Sequence, residues 1–125
     1  MPRIAVSSDR IAPPVGPFSP AVESGEYLYL SGQVAQDPAT GRLVEGDAGV
    51  QAERIFRNLE HVLQAAGRGL GDVVRVGVFL TSMEDFAAVN AVFSRQFIHP
   101  FPARTTVGVA ALPLGASVEI DAIAR

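Results

Sequence analysis

The chain has 125 residues, a mass of 13.2 kDa, a net charge of -3 and a pI near 5.3, which fits one domain spanning residues 1–125. Hydrophobic residues make up 48% and charged residues only 18%, and the ten basic residues are scattered, so the basic footprint of a nucleic-acid binder is missing. There is no cysteine, which excludes disulfides, a thiolate nucleophile and Cys-ligated metal.

The N-terminal stretch "MPRIAVSSDRIAPP" carries early prolines and no long apolar run, so it does not read as a signal peptide. The most apolar run, "VVRVGVFL", has eight residues and contains Arg75, too short to span a membrane. A soluble, cytoplasmic protein is the expectation. Arg3–Ser8 reads as a first strand. Ile11–Val22 holds four prolines and a glycine, and proline lacks the N–H that a ladder needs, so this is an extended loop. Glu26–Ala35 is rich in β-formers and breaks near Gly32. Asp37–Gly41, "DPATG", is a turn, with "RLVE" as a short return strand.

In the next segment Ala52, Ile55, Phe56, Leu59, Val62, Leu63 and Ala66 recur at three- and four-residue steps, the mark of one apolar helical face. Asp47 can cap its start and Gly67 its end. Asp72–Thr81 is a strand by its β-branched content. A second helix starts at Ser82, where Asp85 three residues on resembles a capping box. Phe86, Val89, Phe93 and Phe97 mark its buried stripe, and Pro100 and Pro102 end it. Phe101–Arg125 then reads as a hairpin around the "LPLG" turn. Two helices cover one face of such a sheet, yet the last strands look apolar on both faces, so the second face calls for subunits packed sheet against sheet.

The candidate chemistry lies in that hairpin. Arg104 and Glu119 fall on one face if the turn pairs Val109 with Val118, and a one-residue slip would separate them. As a cross-strand ion pair they contribute about 0.2–1 kcal/mol. As a functional pair, a guanidinium binds a carboxylate bidentately while a glutamate positions or deprotonates water. Asn90 lies on the apolar stripe of the second helix, either as a satisfied core amide or as an arm facing a pocket. His61 reads as solvated flank and His99 as a loop residue. No His/Asp/Glu spacing suggests a metal site. Ser31 has no histidine at a telling distance, and "GRGLG" follows a helix instead of opening one, so it is no phosphate loop.

The stretches "GPFSPAV", "YLSGQVAQDPATGRLV", "VGVFLTSMEDFAAVNAVF" and "FPARTTVGVAALPLGASVEIDAIA" together resemble the Rid (YjgF) family nearly end to end. That resemblance implies an α+β, chorismate-mutase-like mixed sheet with two helices on one face, assembled as a homotrimer with active sites between subunits. It implies hydrolysis of enamine/imine intermediates such as 2-aminoacrylate and 2-aminocrotonate to 2-keto acids and ammonia, with neither metal nor organic cofactor. Matched residue by residue, Arg104 binds the substrate carboxylate and Glu119 holds or activates the attacking water. Asn90, Ser31 and Gly32 line the pocket. Phe18 stands where the family usually has tyrosine, Pro20 where glutamine is common, and Thr106 where bacterial members often have cysteine; Phe18 and Thr106 would contact substrate. The alternatives are a sensor that binds 2-keto acids through the same arginine, a hydrolase for another imine or amide, and an endoribonuclease, against which the acidic pI argues.

Overall fold

The computed structural model describes residues 2–125. Its strands are β1 (Ile4–Val6), β2 (Ala21–Ser24), β3 (Tyr27–Gln33), β4 (Val73–Leu80), β5 (Ala103–Gly108) and β6 (Val118–Ala124), and its helices are α1 (Ala48–Ala65) and α2 (Phe86–Gln96). They form one mixed sheet in the order β1-β2-β3-β6-β4-β5. Only β4 and β5 run parallel, joined through α2 as a βαβ unit. The α+β class and the two helices agree with the expectation.

The helix boundaries follow from local chemistry. Asp47 caps α1, its Oδ1 accepting from the Val50 N–H at 3.0 Å. Gly67, at φ 72°, closes the helix, with the Arg68 N–H reaching back to the Leu63 carbonyl at 2.9 Å. The second helix begins later than the sequence suggests. Ser82 Oγ accepts from the Glu84 N–H, not from Asp85, and a short 3-10 turn over Met83–Asp85 precedes α2. The expected return strand shrinks to a single antiparallel bridge, Gln36 to Leu43.

One face of the sheet carries the core. Leu28, Leu30, Val76, Val78, Leu80, Val118 and Ile120 meet Ile55, Phe56, Leu59 and Leu63 of α1. Phe56 sits edge-on to Phe93 of α2 at 6.1 Å and to Phe97 at 5.7 Å, the favoured aromatic geometry. Two buried polar side chains of α1 tie loops to this core. Asn58 donates to the Gln36 carbonyl at 2.9 Å and accepts from Arg54 Nε, while Gln51 accepts from the Ser117 N–H at 2.9 Å. The opposite face has no cover among the described residues: Tyr29, Val74 and Val107 are exposed there, beside half-buried Phe79 and Ile123.

The expected final hairpin is absent. β5 and β6 do not touch as a pair, because β4 lies between them, bonded to β5 on one side and to β6 on the other. The segment between them is long enough to step across β4, and its turn, Pro113–Gly115, holds Leu114 at φ 60° and Gly115 at φ 71°.

Phe56 is fully buried against both helix α2 and the sheet. Phe56→Ala should lower the unfolding free energy by about 3–5 kcal/mol in denaturant titration. Val50→Ala, on the exposed side of the same helix, should change it by less than about 0.5 kcal/mol. Equal effects would contradict this packing.

Candidate active site

The register of β4 decides where the two charged candidates go. Val76 pairs with Arg104 across one edge, and Phe79 pairs with Glu119 across the other. Paired residues share a face, and positions 76 and 79 lie on opposite faces because strand side chains alternate. Arg104 therefore points to the helix side and Glu119 to the bare side. The same-face expectation fails for a definite reason: a third strand, with odd spacing between the two pairings, stands between them.

Arg104 occupies a prepared socket. Its Nη2 donates to Asn90 Oδ1 at 2.6 Å, and its guanidinium lies 4.7 Å from the ring centre of Phe93 and 5.6 Å from that of Phe86. Both distances allow cation–π attraction. Asn90 thus leaves the apolar stripe of α2 to orient a cation. Burial lowers the pKa of Arg104, but an arginine starts so high that it stays charged. Among the described residues Arg104 has no carboxylate partner. Thr106, two residues along, shares its face, and its Oγ1 is buried with no hydrogen-bond partner among the described residues.

Glu119 lies in a second hollow, of about 160 Å³, walled by Ile11, Val15, Phe18, Pro113 and Leu114. Burial raises its pKa, and the neighbouring Asp121 raises it further. The sequence expectation of an arginine beside it is not met within this chain. Gly32 also lines the hollow, at the irregularity between Leu30 and Gln33, where a Cβ would sit 2.9 Å from the Glu119 carboxyl group. Glycine here makes room for the carboxylate. Ser31 does different work: its hydroxyl donates to the Ser19 carbonyl at 2.7 Å, and its N–H donates to the Pro20 carbonyl at 2.9 Å. These two bonds fasten the proline-rich loop that carries Phe18.

The seven sequence candidates therefore fall into two groups. Phe18, Gly32 and Glu119 line one hollow, with Ser31 outside its lining and bonded to the loop that walls it; Asn90, Arg104 and Thr106 gather at the α2 socket. Sequence reasoning missed the parts of Phe86 and Phe93 as faces for the guanidinium, and of Asp121 as the charge beside Glu119. The alternation Glu119, Asp121 was the available signal for the last. His99 packs its ring against Phe101 at 5.8 Å. Among the described residues no group of three or more histidines and carboxylates could hold a metal ion.

Gly32→Ala should keep its fold, because the group in its way is the mobile end of a side chain. It should displace the Glu119 carboxylate, seen as a changed titration in carboxyl ¹³C NMR, with little change in Tm. A collapse of Tm, or an unmoved carboxyl resonance, would contradict the close approach.

Residues 9–125 match the family described as "Endoribonuclease L-PSP". The chain is 50% identical to "Protein DfrA" of Myxococcus xanthus, over 99% of this chain and 96% of the relative. It is 42% identical to a protein of Dermatophagoides farinae named "2-iminobutanoate/2-iminopropanoate deaminase", over 98% and 95%. The crystal structure of RidA from the Antarctic bacterium Psychrobacter superposes with a TM-score of 0.94 at 44% identity, covering 98% of this chain and 99% of that one.

Proposed function

From a chain that belongs to the Rid (YjgF) family, we propose an enzyme that hydrolyses reactive enamine/imine intermediates to 2-keto acids and ammonia, at sites completed between subunits. The observation that carries this reading is the separation of Arg104 from Glu119. A partly buried guanidinium without a carboxylate, and a partly buried carboxylate without a cation, are each left short of a counter-charge. Each is set as one half of a site. A second copy that brings its Arg104 socket to this chain's Glu119 hollow supplies both missing partners. The uncovered sheet face supports a closed oligomer, and the family resemblance supports three copies in it.

The proposed reaction needs little beyond orientation. The C=N carbon is already electrophilic, so no cofactor is called for. An enamine first tautomerises to its imine. Arg104, held by Asn90 and the two rings, takes the substrate carboxylate and fixes the imine carbon in place. Glu119 accepts a proton from water as the water oxygen bonds to that carbon. The resulting carbinolamine breaks its C–N bond. Glu119 returns its proton to the nitrogen, the carbinolamine hydroxyl gives up its own proton to the nitrogen as its oxygen becomes the 2-keto group, and nitrogen leaves as ammonia. Thr106 offers an uncommitted hydroxyl beside the carboxylate. Phe18, without a phenol hydroxyl, offers a wall and no hydrogen bond. A partner guanidinium beside Glu119 lowers a pKa that burial and Asp121 raise, keeping the carboxylate ionised as a base requires.

A second reading has one observation in its favour: the Arg104 socket is built without Glu119, so it could bind a 2-keto acid as a sensor with no turnover. An RNA-cleaving role has no support in the scattered basic residues or the pI near 5.3.

The test is to generate 2-aminoacrylate from serine with a purified dehydratase and time its decay. This protein should accelerate the decay, and Arg104→Ala should lose about a hundredfold of that acceleration or more. Binding of a 2-keto acid without acceleration would shift the assignment to the sensor. Light scattering should give about three times the chain mass of 13.2 kDa; a 13.2 kDa particle would rule out shared sites.

A further inference from the structure

The segment from Ser7 to Pro20 borders two separate hollows. Its later part, from Ile11, walls the Glu119 cavity. Its first part, Ser7 to Arg10, faces α1 across an open groove of about 460 Å³, bordered by His61, Gln64 and Ala65. The two hollows share no lining residue. The groove is within the size range of small-ligand sites.

Its chemistry is concentrated and uncommitted. Arg10 Nη1 reaches only Gln64 Oε1, at a long 3.5 Å. Arg10 and Arg54 both act on the His61 ring, and among the described residues neither has a carboxylate partner. Ser8 Oγ accepts from the Arg10 N–H at 3.1 Å, which leaves its own proton to donate, and the Ser7 hydroxyl makes no hydrogen bond among the described residues. His61, expected to be solvated flank, is half-buried, and its Nδ1 is shut off from solvent with no hydrogen-bond partner among the described residues. Burial, then Arg10 and Arg54, hold its pKa below the ordinary value, against the opposing pull of Gln64 and Glu60. Asp9 is the one carboxylate in the lining and offsets part of the positive field.

We propose that this groove is a second ligand site, which takes the phosphate group of free phosphate or of a small organic phosphate. A guanidinium and two hydroxyls set around a hollow suit the many acceptor oxygens of a tetrahedral dianion better than a flat carboxylate. A dianion beside His61 also favours the protonated ring, whose charge then adds to the attraction. The room beyond one phosphate accommodates an organic remainder. Because Ile11 follows Arg10 directly, occupancy pins one end of the segment whose other end carries Phe18.

The chain has two histidines, so His99 serves as an internal reference for His61 in ring ¹H–¹³C NMR. Inorganic phosphate and glycerol 3-phosphate are titrated separately, with chloride at matched ionic strength as control. The expected result is a saturable shift of His61 alone, with its titration moved to higher pH. Arg10→Gln, a change at an exposed side chain, should weaken binding about tenfold or more. Tighter binding of the ester assigns the site to an organic phosphate; equal binding assigns it to free phosphate. A shift that does not saturate, that chloride reproduces, or that Arg10→Gln leaves unchanged would overturn the site.

Discussion

The position of β4 between β5 and β6 is the constraint on which the rest of this molecule depends. Its backbone is bonded on both sides, so neither neighbour can slip without breaking a full ladder. That fixed register sends Arg104 to the helix side and Glu119 to the bare side. The two charges are thereby kept apart within a chain, and the proposed reaction would depend on assembly.

Each half is nonetheless built in advance. Arg104 is held by one short hydrogen bond and two aromatic faces before any substrate arrives. Ser31 fastens the loop that walls the Glu119 hollow, and Gly32 leaves space for the carboxylate. Preorganisation of this kind carries a standing cost. A partly buried carboxylate beside Asp121, and a guanidinium with no counter-charge, both weaken the isolated fold. In the proposed assembly, relief of that cost would favour the oligomer over the free chain.

Local features were legible in the sequence because local rules produce them. The 3.6-residue rhythm from Ala52 to Ala66 fixed α1 and Asp47 fixed its start, while the position of Asn90 within the α2 stripe left a core amide and a pocket arm equally open. The partner of each late strand was not legible. Alternation in Ala103–Gly108 and Val118–Ala124 tells which side chains share a face of their own strand, but not which strand lies alongside. The "LPLG" stretch imitates a hairpin turn, while its backbone, with Leu114 in the left-handed region, serves a longer crossing. The aromatic faces around Arg104 were hidden for a related reason: Phe86 and Phe93 satisfy the helical stripe equally well as plain core. His61 lies on the flank where periodicity places it, and what periodicity does not tell is that the Ser7–Arg10 segment lies across from it.

Mixing two variants tests the shared site most directly. Arg104→Ala leaves a chain with only its Glu119 half, and Glu119→Gln leaves one with only its Arg104 half. Each should be inactive alone in the imine-decay assay. Unfolded together in equal amounts and reassembled, they should recover about one quarter of wild-type activity, since that share of interfaces unites two intact halves. No recovery from a folded mixed oligomer would contradict a site divided between subunits.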